Sequence, residues 1–146
     1  MDEAAARNAF ETALAEHVPD FETFFLAKLM GLTFDYTDDA CRIRFPVRDF
    51  LFNPQGSLHG GIIATIMDIS MGHLLKRTLG VQGATLEMKV QFLEPVRSSS
   101  ARCEGRFVRR GNTICFLESR LWDAEDVLCA VATATWMPAK RSLAAK

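Results

Sequence analysis

Residues 53–75 read NPQGSLHGGIIATIMDISMGHLL, and this stretch decides the fold. A turn-rich segment, residues 53–57, leads into His59 and the pair Gly60-Gly61, and a long apolar run follows. Wound as a helix, that run leaves no polar side, and a helix that is apolar all round is a buried helix. We therefore expect a buried central helix that ends near Leu79-Gly80.

A single carboxylate, Asp68, lies in the middle of this apolar helix. Burying a carboxylate costs several kcal/mol unless the group has partners or a function. At the helix start, Gly60 and Gly61 expose backbone N–H groups where the helix dipole is positive, which suits a developing negative charge. An anion receptor and a carboxylate within one segment indicate a catalytic arrangement.

The flanking sequence predicts helices before the central helix and strands around it. Residues 2–18 have helical periodicity, and Asp20 is a candidate N-cap for a short helix over 21–30 that Gly31 would end. Alternating residues between Leu32 and Phe45 predict a hairpin. Four strand-like runs follow the central helix, at 84–93, 100–109, 113–123 and 127–137. Together these elements predict an α+β fold in which an antiparallel sheet packs on the central helix.

Length and composition restrict the function without identifying it. The 146 residues are 49% hydrophobic and 24% charged with a net charge of −1, so one globular domain is expected and nucleic acid is not an expected partner. The four cysteines are scattered, which favours buried free thiols over disulfides or a metal site. The acidic N-terminus and the lack of any membrane-length apolar run favour a cytoplasmic protein with no membrane partner.

The motif around the central helix resembles a known family. Its residues are Asn53-x-x-Gly56-x-Leu58-His59-Gly60-Gly61 with Asp68 downstream, together with segments 83–95, 108–111 and 131–135. This pattern resembles the hotdog-fold thioesterases of the phenylacetate-pathway type, over roughly residues 30–137. The resemblance implies a hotdog core at 31–137, an N-terminal helical segment at 1–30 and a flexible tail at 138–146.

The resemblance also implies residues for the reaction. Gly60 would give its backbone N–H to the thioester oxygen, and Asp68 would act as general base or nucleophile. Thr85 would position the water or the carboxylate, while Asn53 and His59 would shape the thioester end of the site. In this family the site straddles a dimer interface and dimers commonly pair into tetramers, so a homodimer at least, and a homotetramer, is implied.

The remaining assignments concern the substrate. Gly61 and the Arg109-Arg110-Gly111 turn are candidates for substrate binding, and the two arginines, with Lys140, are candidates for the phosphates of coenzyme A. No metal or other cofactor is implied.

The predicted function is hydrolysis of an aryl- or medium-chain acyl-CoA to free acid and CoA. Two alternatives remain open: a non-catalytic module of the same fold that binds acyl-CoA, and a hydratase, which the motif disfavours. A thioester carried on a protein rather than on CoA also remains open.

Overall fold

The computed structural model describes residues 1–140, so residues 141–146, most of the predicted tail, lie outside the described residues. The helices are α1 (Glu3–Glu16), α2 (Phe25–Leu29) and α3 (Gly60–Leu79), with a short 3₁₀ turn at Asp49–Leu51. The strands are β1 (Thr33–Tyr36), β2 (Ala40–Pro46), β3 (Gly83–Phe92), β4 (Ser100–Arg109), β5 (Cys115–Asp123) and β6 (Leu128–Pro138).

The six strands form one antiparallel sheet in the order β1-β2-β4-β5-β6-β3, and α3 packs on one of its faces. The fully buried side chains of α3 include Ile66, Met71 and Leu75, which join strand residues such as Leu117 and Leu121 in one core. This is the predicted fold class, and the buried central helix is confirmed.

Both ends of α3 follow from local sequence. The Nδ1 atom of His59 accepts the N–H of Gly61 at 2.9 Å and so caps the N-terminus. At the other end Gly80 takes the left-handed conformation, with φ of 69°, that glycine adopts without a Cβ clash. Lys76 and Arg77 lie in the last turn, where cations suit the helix dipole.

The prediction of a helix over 21–30 was wrong in its first half. Asp20 does not cap α2, because its carboxylate accepts the N–H of the next residue, Phe21, at 2.7 Å. Hydrogen bonds between Val18 and Thr23, and between Thr23 and Asp20, close residues 19–24 into turns instead. We call residues 19–24 the strap. Gly31 ends the helical region with φ of 66°, as predicted.

Candidate active site

Asp68 and Thr85 face each other where α3 passes over β3. The hydroxyl of Thr85 donates a hydrogen bond of 2.7 Å to Oδ1 of Asp68. Burial raises the pKa of the Asp68 carboxyl above its usual value, and the bond from Thr85 offsets part of that rise by stabilising the ionised form. The group is therefore a half-buried carboxylate that is more basic than a surface aspartate.

The N-terminus of α3 presents a free backbone donor. The N–H of Gly61 is used by His59 Nδ1, and the N–H groups of Ile62 and Ile63 bond to the carbonyl of His59. Within residues 1–140 the N–H of Gly60 has no acceptor. It lies at the positive end of the helix dipole, where an oxyanion is stabilised. The Phe92 ring borders this position, since a Cβ on Gly60 would lie 3.2 Å from the ring.

Asn53 shapes the loop that leads to this helix end. Its Oδ1 accepts the N–H of Gln55 at 2.9 Å, and its backbone N–H donates to the carbonyl of Ser57 at 2.8 Å. Its Nδ2 donates to the hydroxyl of Ser57 at 3.2 Å. The side chain is thus committed to holding the loop, and that loop sets the position of His59.

Within one chain the candidate residues form two separate groups. Gly60 and Asp68 are eight residues apart on one helix, a rise of about 12 Å. A single thioester carbonyl cannot touch both groups at that separation. Gly111, at the turn after β4, lines a hollow with Leu79 at the C-terminal end of α3, the end opposite Gly60. Arg109 and Arg110 flank that same turn.

A groove of about 390 Å³ opens beside Asp68 and was not foreseen. Its walls are the strap, one side of α3 and the indole of Trp136 on β6. Gly72 forms part of the wall, because a Cβ there would lie 2.7 Å from Cη2 of Trp136. A glycine inside a helix costs about 1 kcal/mol relative to alanine. A glycine at position 72, inside the central helix, is therefore the sequence feature that could have indicated a close contact here.

His73 attaches the strap to α3. Its Nδ1 lies 2.9 Å from the carbonyl oxygen of Ile69, and its Nε2 contacts the carbonyl oxygen of Phe21. The ring also stacks on Phe34 and packs against Phe21 and Phe24 of the strap. Burial lowers the pKa of this histidine, although its two carbonyl contacts oppose the change. Phe21 and Phe24 of the strap thus pack on the body of the protein at this position.

The described residues contain no group of three or more side chains arranged to hold a metal ion. The four cysteines are buried and unpaired, as predicted. None of the helices formed by residues 1–140 is long and apolar enough to cross a membrane.

Comparison with known proteins relates this chain to thioesterases and esterases. The family model described as the thioesterase superfamily matches residues 55–130, just over half of the chain. A protein of Saccharolobus solfataricus that bears the name of an esterase is 32% identical over 106 residues, covering 71% of this chain and 75% of its own. The medium/long-chain acyl-CoA thioesterase YigI of Escherichia coli is 28% identical over 99 residues, 57% of this chain and 63% of its own.

A solved structure supports the same relationship. The phenylacetic acid degradation-related protein of Ralstonia eutropha aligns with a TM-score of 0.73 at 27% identity, covering 89% of this chain and 99% of that one. The similarity to phenylacetate-type hotdog thioesterases that the motif indicated is thereby confirmed.

Proposed function

The chain belongs to the thioesterase superfamily and is a thioester hydrolase, and on that premise we propose that it cleaves aryl- or medium-chain acyl-CoA through Asp68 and Gly60. The observation that carries this proposal is the Asp68 carboxylate, held by Thr85 beside a groove that has both apolar and polar walls. A carboxylate of raised pKa in such a place is suited to proton transfer from water.

The proposed reaction begins with the thioester carbonyl at the N-terminus of α3. Asp68 takes a proton from water while the hydroxide attacks the carbonyl carbon, or the carboxylate attacks that carbon directly. The Gly60 N–H holds the oxyanion of the tetrahedral intermediate. When the intermediate collapses, the carbon–sulfur bond breaks and CoA leaves as the thiolate. In the general-base route the thiolate takes the proton that Asp68 removed from water. In the direct route the acyl group stays on Asp68 as a mixed anhydride, which water then cleaves to release the acid and a proton for the thiolate and to restore the carboxylate.

The separation of about 12 Å between Gly60 and Asp68 requires a second copy of the chain in this proposal. Gly60 of one copy would face Asp68 and Thr85 of the other, giving two equivalent sites in a symmetric dimer. Exposed apolar side chains on the edge strand β3, Leu86 and Phe92, and on Leu93 directly after it, support such a partner.

The substrate assignments follow from charge and shape. CoA is highly anionic, and Arg109 and Arg110 at the β4–β5 turn would bind its phosphates, with Lys140 close to Gly111 in the adjoining hollow. Gly61 has no side chain, so it would let the backbone at the start of α3 lie close to the thioester. The groove beside Asp68 would hold the acyl group, because Phe21, Phe24, Ile69 and Trp136 give it an apolar lining. An acyl-CoA thioesterase among the relatives supports CoA as the carrier.

The test is thiol release from a panel of aryl and aliphatic acyl-CoAs by the wild type, Asp68→Ala and Asp68→Asn. We expect turnover in the wild type and a loss of about 10²- to 10⁴-fold in kcat in both variants, with unchanged circular dichroism. Asp68→Asn keeps an oxygen that can accept the Thr85 hydrogen bond, so its inactivity would isolate the loss of the base. Wild-type rates in a folded Asp68→Asn protein would refute the mechanism.

A further inference from the structure

The backbone of α3 makes a very close contact with the sheet at Ser70. Gly105 of β4 and Ser119 of β5 are direct cross-strand neighbours, and Ser70 contacts both. All three residues are buried. A Cβ at position 105 would lie 2.8 Å from the carbonyl carbon of Ser70, closer than a real side chain can approach. The helix can therefore lie this close to β4 only because residue 105 is a glycine.

A chain of hydrogen bonds fixes the orientation of Ser70 over the sheet. Its hydroxyl donates to the carbonyl of Met67 at 2.7 Å, and because a hydroxyl has one proton, it accepts the 2.9 Å bond from Ser119. The Ser119 oxygen also lies 3.1 Å from the Cys103 sulfur, whose thiol is left to donate to it. Apolar contacts have no preferred direction, whereas this bond from β5 holds α3 at one angle of rotation about its axis.

The rotation of α3 determines where the carboxylate of Asp68 lies. Asp68 is two residues before Ser70, so the two side chains point about 200° apart, Ser70 toward β4 and β5 and Asp68 toward Thr85 on β3. A turn of the helix by about 10° moves an atom ~6 Å from the axis by about 1 Å. The 2.7 Å hydrogen bond between Thr85 and Asp68 is lost when the carboxylate moves away by that distance.

From this geometry we infer that Ser70, Gly105 and Ser119 are positioning residues, which hold α3 at the rotation that brings the Asp68 carboxylate to Thr85. None of the three lines the groove beside Asp68, so they influence the reaction through the placement of α3 and not through contact with the substrate. The inference rests on the proposed function, in which Asp68 is the base or the nucleophile.

Gly105→Ala and Ser70→Ala disturb this contact in two ways. Alanine at position 105 pushes the backbone of Ser70 away from β4, whereas Ser70→Ala removes the hydrogen bond from Ser119 and keeps a good helix former. We expect kcat to fall about 10- to 100-fold in Gly105→Ala and about fivefold in Ser70→Ala. The acidic limb of the kcat/KM profile should move to higher pH in both. Should Gly105→Ala fail to fold, Ser70→Ala decides alone.

Titration of the Asp68 carboxyl by NMR does not depend on turnover. In protein with ¹³C-labelled aspartate carboxyl groups, the Asp68 signal is the one that Asp68→Asn lacks. The hydrogen bond from Thr85 lowers the pKa of Asp68, so its loss should raise that pKa, by about one unit in Gly105→Ala and about half a unit in Ser70→Ala. The other titratable side chains at the groove are replaced in neither variant: His73, Lys76 and Asp20.

Cys129→Ala is the matched control. It also removes a buried side-chain hydrogen bond, but that bond goes to the carbonyl of Val127 and not to α3. The titration of Asp68 and the pH profile should stay those of the wild type. If Asp68 titrates as in the wild type in every folded variant at positions 70 and 105, the inference is overturned. A raised pKa of Asp68 in a protein that hydrolyses no thioester would support the positioning role and refute the proposed function.

Discussion

At the scale of single residues, the hydrogen bond from Thr85 tunes the carboxylate on which the proposed chemistry depends. The pKa of Asp68 is already above its usual value because of burial, and the Thr85 hydroxyl opposes that rise. Thr85→Val removes the donor, so the folded-state pKa should rise further and less of the carboxylate should be ionised at a given acidic pH. We expect the acidic limb of the kcat/KM profile to move to higher pH by about one unit.

Thr135→Val is the control for this prediction. Thr135 also lies on a strand and donates to a carboxylate, that of Glu87, but this pair is exposed and outside the groove. Its replacement should leave the pH profile where it is in the wild type. If Thr85→Val kept the wild-type profile, or moved it to lower pH, Asp68 would not be the group whose ionisation limits the reaction.

Gly60 permits a test of its backbone N–H without truncating a side chain. It is the first residue of α3, a position where proline fits, and His59 before it has the extended backbone, φ −61° and ψ 133°, that proline requires. Gly60→Pro should therefore fold and yet lack the donor, with kcat lowered about 10²- to 10³-fold.

Gly60→Ala provides the comparison, because it places a Cβ against Phe92 as proline does but retains the N–H. The nearest ring atom is Cζ, at the far end of the Phe92 side chain, so a small shift of the ring relieves the contact. The alanine variant should keep most of the wild-type kcat. Equal losses in the two variants would assign the effect to the Phe92 contact and not to the missing donor.

At the scale of elements, the strap depends on a few contacts with α3. His73→Phe preserves the aromatic packing but removes the ring nitrogen that contacts the carbonyl oxygen of Phe21. We expect amide exchange in residues 19–24 to accelerate about fivefold, the effect of one hydrogen bond, while α3 stays protected. Hydrogen exchange read by mass spectrometry measures both. His17→Phe is the control, because His17 is exposed, and it should leave exchange in the strap unchanged. If the strap exchanges in His73→Phe at the same rate as in the wild type, packing alone holds it.

The elements that the sequence predicted well are those whose signals are local. His59, Gly80 and the apolar period fix α3 from its own residues, and the alternating strands are bounded by visible turns. The start of α2 was mispredicted because Asp20 can satisfy a neighbouring N–H as well as a helix end. The strap forms instead through contacts with His73, which lies 52 residues from Phe21 in the sequence and which no local pattern reveals.

Contacts between residues far apart in the sequence also limited what could be predicted of the candidate site. The Asp68–Thr85 pair could be proposed from the motif, and the structure places the two side chains in contact. Gly72 and Trp136 could not be paired beforehand, because their contact joins a helix to a strand far away in the sequence. The indole N–H of Trp136 is buried with no acceptor among residues 1–140, and this too is a property of packing, since any tryptophan carries the same donor.

At the scale of the whole molecule, the proposed site draws Gly60 from one copy and Asp68 from another, which subunit mixing can test. Asp68→Ala and Gly60→Pro chains are each expected to form inactive dimers. A mixed dimer contains one site with both defects and one with neither, because each chain supplies its intact residue to the same site.

Unfolding and refolding equal amounts of the two variants together should make about half of the dimers mixed. The mixture should then recover about a quarter of wild-type activity, because each mixed dimer has one intact site of two. Each variant refolded alone is the control and should stay inactive. If the mixture also stays inactive while native mass spectrometry shows mixed dimers, the site does not straddle two copies in this way, and Gly60 cannot be the oxyanion donor for Asp68.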